Sequence, residues 1–314
     1  MNKWVRANNW VGQHLFYVVV SAVALGLFFP ISKFAYVKQT TIGIFAYITF
    51  ITSLGTGFRT FIRVMKTPLI PLWILFLLHF AVPVAAWGIG NLFYPGDAAM
   101  RMGLLINASI PLAVTSILWT SIAGGNIAIS IMSVTLDTMI APLLLPLFFM
   151  VVVGTAIEIN YASMIIQLFG MVTIPSLSAM LITDATKGKL DNFAKGMGGL
   201  TSRLALFFVV FFNATAVAPE IVWSLAMAKT LFVVFLLVIS GYFIGFLGSF
   251  VFKTRSKEIV MTMVYSVGMR NISFGLVLAM AYFPISVAIP VILATIFQQP
   301  TAALISYIYK RFSR

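Results

Sequence analysis

Long apolar runs separated by short polar breaks dominate the pattern of the chain. A helix needs about 20 apolar residues to cross a bilayer, and runs of this length recur from end to end. The strands of a transmembrane barrel would instead alternate over segments of about 10 residues. Turn-forming clusters such as 91–97 and 124–126 mark the breaks. The pattern predicts ten transmembrane helices, here called spans 1 to 10, at residues 13–30, 40–57, 69–92, 98–123, 126–153, 161–183, 198–217, 221–251, 257–282 and 286–308.

The composition supports a membrane protein. Of the 314 residues, 61% are hydrophobic and 9% are charged, whereas soluble chains contain about 45–50% apolar and about 25% charged residues. The chain has no cysteine, which excludes disulfides, thiolate metal sites and cysteine nucleophiles. It also has no P-loop, zinc motif or nucleophile elbow. We therefore expect an all-α polytopic membrane protein that is not an enzyme.

The net charge of +13 is distributed unevenly between the two sides of the predicted spans. Three basic residues, Lys33, Lys38 and Arg101, are assigned to one side, and Arg203, Lys229 and Arg270 to the spans themselves. Cytoplasmic loops accumulate Lys and Arg. This asymmetry predicts a multi-pass protein of the inner (cytoplasmic) membrane with both termini in the cytoplasm, and it explains the charge without nucleic acid. The fourteen basic residues on the predicted cytoplasmic side are Lys3, Arg6, Arg59, Arg63, Lys66, Lys187, Lys189, Lys195, Lys253, Arg255, Lys257, Lys310, Arg311 and Arg314.

Two spans are interrupted by polar and helix-breaking residues. Span 4 contains Pro111 followed by Thr115 and Ser116, and span 9 contains Ser266 and the polar run 268–273. Such interruptions at corresponding places in two halves of a chain indicate discontinuous helices that form a transporter site near the bilayer midplane. A simple proline kink with Ser and Thr bonded back to the helix is the alternative for either segment alone. The matched pair favours a binding site.

Ionisable residues within spans are costly and usually face a cavity or a partner. Asp137 falls near the middle of span 5 on the same helical face as Ser130, and Arg270 lies at a similar depth in span 9. Arg270 either pairs with Asp137 as internal structure or awaits an anion. His79 is interpreted as an interior histidine whose hydrogen bonds are satisfied. Gln299 precedes a proline in span 10, which makes it a candidate cavity group.

With these features the chain resembles the bile acid:sodium symporter family in its bacterial branch. The stretches that carry the resemblance are 111–116, 125–130, 142–146 and 267–271. The resemblance implies ten helices in two inverted five-helix repeats, with broken helices 4 and 9 crossing in a core domain of spans 3, 4, 5, 8, 9 and 10. Spans 1, 2, 6 and 7 form a panel domain, and alternating access moves one domain against the other. Residues 1–184 then contain the first repeat (spans 1–5) and the start of the second, and residues 161–314 contain the second (spans 6–10).

The chain departs from the family at the positions that hold sodium. Sodium-coupled members have Glu-x-x-x-Gln-Asn where this chain has Ser266, three residues, Arg270 and Asn271. The family's Ser-Asn pair on span 4 becomes Ser116 and Ile117, and a Thr on span 5 becomes Val134. Hard cations need a cage of oxygens. Four donors are therefore missing or altered, and a permanent cation replaces one of them.

These departures predict a carrier of a small organic anion, either bile-acid-like or another carboxylate or sulfonate, that is not coupled to the usual two sodium ions. Arg270 would be a fixed countercharge, and Asp137 its partner or a proton-coupling group. The expected partners are the anion and the lipid bilayer, with no resident metal or other cofactor. A sodium-coupled organic anion symporter with remodelled sites is the alternative. The candidate substrate- and ion-binding residues are Thr115, Ser116, Ser130, Asp137, Ser266, Arg270, Asn271 and Gln299, and the vacated sodium sites are expected near Ser116, Ser130, Ser266 and Arg270.

Overall fold

A computed structural model describes residues 3–29, 37–58, 62, 69–153, 160–252 and 256–312. This part of the chain is helical and has no β-strand beyond one isolated bridge. The all-α prediction is confirmed. The helices are α1 (Lys3–Gln13), α2 (Leu15–Phe28), α3 (Val37–Ser53), α4 (Leu69–Phe93), α5 (Ala98–Ser109), α6 (Thr115–Ile122), α7 (Ile127–Val153), α8 (Tyr161–Ala185), α9 (Gly199–Val217), α10 (Leu225–Gly248), α11 (Lys257–Gly268), α12 (Ile272–Tyr282) and α13 (Ala288–Phe312).

Six helical segments are individually long and apolar enough to cross a membrane. A seventh candidate combines α1 and α2, which are bent by 67°. Predicted spans 2, 4 and 9 correspond to the shorter α3 and to the pairs α5–α6 and α11–α12. The chain is thus an integral multi-pass membrane protein, while the ten-span inverted repeat stays a prediction. The six segments are Leu69–Phe93, Ile127–Val152, Tyr161–Ala185, Asp191–Glu220, Leu225–Val251 and Ile285–Tyr309.

The structure adds one helix that the apolar pattern did not predict. Helix α1 is amphipathic: Asn8 and Gly12 are buried, while Trp4 and Trp10 are exposed. Its sequence lacks a long apolar run, so hydropathy alone misses it. Lys38, which the apolar pattern assigned to a loop, lies within α3. Seven basic residues used to predict the orientation lie outside the described residues: Lys33, Arg59, Arg63, Lys66, Lys253, Arg255 and Arg314.

The first of two compact units contains residues 1–67, 138–218 and 280–282. Within it, α2 and α3 pack on α9, and α3 also packs on α8. The close approach of α2 and α9 depends on Gly26, because a Cβ there would lie 2.5 Å from the Ala214 Cβ. Small residues of this kind allow membrane helices to approach closely.

The second unit contains residues 68–137, 219–279 and 283–314, so α7 contributes its first part, up to Asp137. Helix α4 packs on α5 and α10, α10 packs on α11, and α13 packs on α5 and α10. A Cβ at Gly245 would lie 2.6 Å from the Met263 carbonyl oxygen, so glycine sets the spacing of α10 and α11. All the candidate binding residues belong to this unit.

Helix α4 contains one turn of π-helix at Leu77–Ala81, and proline explains it. Pro83 has no N–H to donate to the carbonyl four residues earlier. The preceding residue, Val82, donates its N–H to the Leu77 carbonyl, five residues back, and not to the carbonyl four residues back. This bond widens the turn. Helix α8 repeats this arrangement, with a π-turn at Phe169–Thr173 and a proline, Pro175, at the same spacing.

Candidate functional site

Two interrupted helices meet at their breaks. Helix α5 ends at Ser109, and Ile110 is extended, with ψ 153°, because the residue before a proline avoids the helical region. Helix α11 ends at Gly268. The two unwound segments form an antiparallel bridge in which Leu112 lies opposite Arg270. We call this place the crossing.

Main-chain hydrogen bonds between the two unwound segments satisfy backbone polar groups at the crossing. The Asn271 N–H donates to the Pro111 carbonyl at 2.7 Å, and the Ala113 N–H donates to the Met269 carbonyl at 3.1 Å. Irregular backbone at membrane depth persists only where protein or water satisfies it. Asn271 also caps α12, because its Oδ1 accepts the Phe274 N–H at 3.2 Å.

A glutamine of α13 holds the main chain of Arg270 from both sides. The Arg270 N–H donates to the Gln298 Oε1 at 2.8 Å, and the Gln298 Nε2 donates to the Arg270 carbonyl at 2.9 Å. The Tyr242 hydroxyl, which is buried, donates to the Gln298 carbonyl at 2.8 Å. The position of the Arg270 peptide is therefore fixed by two helices outside the crossing.

The structure gives the predicted glutamine a different contact. Gln299 accepts the Trp119 indole N–H at 2.7 Å, and its Nε2 lies 3.5 Å from the Thr115 hydroxyl. Gln298, which sequence reasoning passed over, makes the contact with Arg270. The sequence shows only that two adjacent glutamines lie in an apolar span, and it does not show which of them contacts Arg270.

The Arg270 side chain is buried but only partly bonded. Its residue is 6% exposed, and one guanidinium nitrogen, Nη2, lies 3.4 Å from the Leu78 carbonyl. The second terminal nitrogen, Nη1, has no hydrogen-bond partner among the described residues. Arg270 and Gln298 line a small cavity with room for about one water molecule, together with Asn107, whose Oδ1 is also unpartnered within the described chain.

Asp137 bonds to a histidine and to the crossing. Its Oδ1 lies 2.5 Å from the His79 Nε2, and its Oδ2 accepts the Leu112 N–H. Asp137 is fully buried. No carboxylate of the described residues lies within 4.0 Å of the Arg270 guanidinium, although Asp137 is close enough to interact with it electrostatically. His79 thus has an interior partner, as expected, but its Nδ1 is buried and unpartnered within the described residues.

Apolar packing surrounds this pair. Leu78, Leu112 and Val134 form one buried cluster, against which Ile117 packs. Leu78 directly precedes His79 in the chain, and Leu112 donates its N–H to Asp137. Because α4 has its π-turn at 77–81, the histidine lies in the widened turn of the helix.

Four hydroxyl groups near the breaks are buried and have no hydrogen-bond partner among the described residues. Helix α6 carries two of them one turn apart, and it packs on α11, which carries another. Three of the four belong to the binding residues predicted from the sequence. Thr115, which is also predicted, instead contacts Gln299. Within the described ranges, no group of three His, Asp or Glu side chains could hold a metal ion. The four hydroxyls belong to Ser116, Thr120, Ser130 and Ser266.

Comparison with known proteins identifies the family. Residues 41–240 match the model of the sodium bile acid symporter family. An uncharacterized protein, YbaS, from Bacillus subtilis (strain 168) is 35% identical over 270 residues, which cover 86% of this chain and 88% of that protein. An uncharacterized sodium-dependent transporter, YocS, from the same organism is 23% identical over 290 residues, which cover 91% of this chain and 87% of that protein. The chain therefore belongs to the sodium bile acid symporter family, and it is a membrane transporter rather than an enzyme.

Proposed function

We propose that the protein is a secondary transporter of a small organic anion, that it works by alternating access, and that Arg270 supplies the countercharge without the usual two sodium ions. The observation that carries the proposal is the buried guanidinium at the crossing. Its peptide is held by Gln298, while its Nη1 has no partner among the described residues. An arginine stays charged in proteins. A buried cation with a free donor is suited to a carboxylate or sulfonate.

The same charge disfavours sodium nearby. Two unit charges about 4 Å apart repel by roughly 4 kcal/mol at an effective dielectric constant of 20. A penalty of about 4 kcal/mol weakens binding by about a thousandfold. Sodium binding next to Arg270 would need a compensating carboxylate, and the nearby Asp137 is already bonded to His79 and to the Leu112 N–H.

The family architecture forms part of the proposal. The counterparts of spans 1, 2, 6 and 7 belong to the first compact unit, and those of spans 3, 4, 8, 9 and 10 belong almost entirely to the second, while span 5 is divided between the units after Asp137. This division supports a panel domain and a core domain within a ten-span inverted repeat. The distribution of basic residues supports an inner-membrane protein with both termini in the cytoplasm.

Counterflow in proteoliposomes tests the proposal. Vesicles preloaded with unlabelled cholate, taurocholate or benzoate receive the labelled compound, with sodium replaced by choline throughout. We expect exchange of at least one of these anions without sodium and its loss in Arg270→Gln. Arg101→Gln is the matched control, because Arg101 lies on α5 and bonds to the Pro95 carbonyl instead of the crossing. Strict dependence on sodium, or full activity of Arg270→Gln, would refute the proposal.

A sodium-coupled symporter with remodelled sites is the second candidate. It is favoured by the four hydroxyls near the breaks that have no partner among the described residues, which are oxygen donors of the kind a hard cation requires. The name of the relative YocS also states sodium dependence for that protein. Thermal stabilisation of the purified protein by sodium, but not by choline, would support this candidate.

A double variant tests whether the ion site is otherwise intact. We expect Arg270→Gln combined with Ser266→Glu to gain sodium affinity, because the change removes the cation and adds a carboxylate among the remaining hydroxyls. Calorimetric titration with sodium chloride measures the gain, and potassium chloride is the control. Absence of sodium binding in the folded double variant would contradict a vacated sodium site.

A further inference from the structure

We infer that His79 and Asp137 form a proton-binding site that is loaded together with the anionic substrate, so that a proton takes the coupling role. This inference rests on the proposed function, because it assigns the coupling ion to the same site. The proton comes from water on one side of the membrane and returns to water on the other. No bond other than that to the proton forms or breaks.

The geometry of the pair provides one vacant proton position. When Asp137 is ionised, the imidazole Nε2 donates its hydrogen to Oδ1, and the neutral ring then has its lone pair on Nδ1. That Nδ1 is buried and has no hydrogen-bond partner among the described residues. A proton can therefore bind at Nδ1 while the contact with the carboxylate is kept. The carboxylate stabilises the resulting imidazolium.

The proton site is joined to the proposed anion site through two short connections. The Arg270 Nη2 lies 3.4 Å from the carbonyl of Leu78, the residue next to His79. Leu112, which is paired with Arg270 in the crossing, donates its N–H to Asp137. A change of charge on the histidine is thus felt at the guanidinium through groups in direct contact.

The sum of charges explains why proton and anion bind together. With a neutral histidine, Arg270 and Asp137 cancel. Protonation of His79 gives the site one excess positive charge, and an anion restores neutrality. Since a buried net charge is costly, each ligand favours the other, and linkage requires the two effects to be equal.

The other titratable groups on the elements packed against α4 have contacts elsewhere. Among the described residues, Asp137 is the charged group in contact with His79, and Arg270 contacts the carbonyl of the adjacent Leu78. The remaining groups are Arg101, which lies beside Gly90; Lys229, which bonds to the Phe93 carbonyl; Tyr242 and Tyr265, which bond to the carbonyls of Gln298 and Ala302; Glu258, which binds Asn126; and Lys257, which is exposed.

Histidine-specific nitrogen NMR can observe the site directly, because the chain has two histidines. In His14→Gln the single remaining imidazole is His79. We expect the neutral ring to carry its hydrogen on Nε2, and we expect the added proton to bind at Nδ1. Saturating cholate should shift the midpoint upwards, equivalent to a change in proton affinity of about 5- to 150-fold. An imidazole that stays neutral throughout, with and without cholate, would overturn the inference.

Transport provides the second arm and separates this inference from the proposed function. In sodium-free proteoliposomes that contain a pH dye, an inward proton gradient should accelerate cholate uptake, and cholate should move protons in the wild type and in His14→Gln. His79→Gln should move no protons with cholate, and its cholate exchange should weaken, because the loaded site then carries an uncompensated negative charge. Exchange in the wild type that is indifferent to the gradient would overturn the proton site and leave the anion carrier standing. If cholate, taurocholate and benzoate are not carried at all, the proposed function fails, and the NMR titration without cholate decides the proton site alone.

A second variant guards against misfolding. Asp137→Asn keeps an oxygen for the Leu112 N–H and removes the negative charge, so the fold is retained while the imidazolium loses its stabilising partner. We expect His79 to bind a proton more weakly in this variant, because the negative charge beside its Nε2 is gone. An unchanged midpoint in the folded variant would contradict the pairing.

Discussion

Replacement of Gln298 by methionine is the sharpest test of how the crossing is held. Methionine is similar in length but has no amide, so Gln298→Met removes both bonds to the Arg270 peptide. The Arg270 N–H is then left buried without another partner among the described residues. The Arg270 carbonyl keeps the Ile272 N–H at 3.0 Å.

The expected destabilisation follows from these two losses. An orphaned buried N–H costs about 1–3 kcal/mol, and one ordinary hydrogen bond to the carbonyl contributes about 0.5–1.5 kcal/mol. We therefore expect the free energy of unfolding to fall by about 1.5–4.5 kcal/mol. We also expect weaker anion exchange, because the peptide that positions the guanidinium is no longer held.

The neighbouring glutamine supplies the matched control. Gln299→Met leaves the indole N–H of Trp119 without its acceptor, but Trp119 is only half-buried. The loss of this hydrogen bond should lower the free energy of unfolding by about 1 kcal/mol. Unfolding by sodium dodecyl sulfate, followed by tryptophan fluorescence, measures both variants in mixed micelles. Equal stability of Gln298→Met and Gln299→Met would refute the idea that Gln298 holds the crossing.

The remaining predictions concern the same unit. Asp137→Leu should lower the free energy of unfolding by about 3–5 kcal/mol in the same detergent titration, because it removes the acceptor of the Leu112 N–H and of the His79 ring and also leaves buried charge uncompensated. Asp137→Asn should cost less, because its amide oxygen can still accept the Leu112 N–H. Gly268→Ala should cost about 1–3 kcal/mol, since the new Cβ would clash with the Tyr242 ring. Pro83→Ala restores a helical N–H, and we expect it to close the π-turn and change the imidazole nitrogen spectrum, while Pro175→Ala, at the equivalent place in α8, should leave that spectrum unchanged.

Much of the fold could be predicted because long apolar runs and prolines leave a direct trace in the sequence. Apolar runs gave the approximate positions of the long helices, and the break in span 4 was predicted from Pro111, whose ring forces the preceding residue out of the helix. The break in span 9 followed from the polar run that begins at Gly268. Helix α1 was missed because its burial is confined to one face, which leaves no long apolar run.

The contacts of the site could not be predicted in the same way. His79 and Asp137 are 58 residues apart, and an apolar pattern does not reveal the π-turn of α4 in which the histidine lies. The sequence also does not decide whether Gln298 or Gln299 contacts Arg270. Successive residues of a helix point about 100° apart, and only the tertiary position of α13 decides which amide meets the crossing.

The charges at the crossing also bear on the energetics of the transport cycle. Arg270 is a permanent cation and Asp137 is bonded to His79, so the empty site is neutral when the histidine is neutral. In the proposed cycle the loaded site, with one proton and one monovalent anion, is neutral as well. One elementary charge moved across 100 mV is worth about 2.3 kcal/mol, so a carrier that is neutral in both forms gains nothing from the membrane potential. A carrier with two sodium ions and one monovalent anion would move a net positive charge. If an arginine and a histidine–carboxylate pair replace the sodium cage as proposed, the gradient that drives uptake would change from the electrical potential plus sodium to the proton gradient alone.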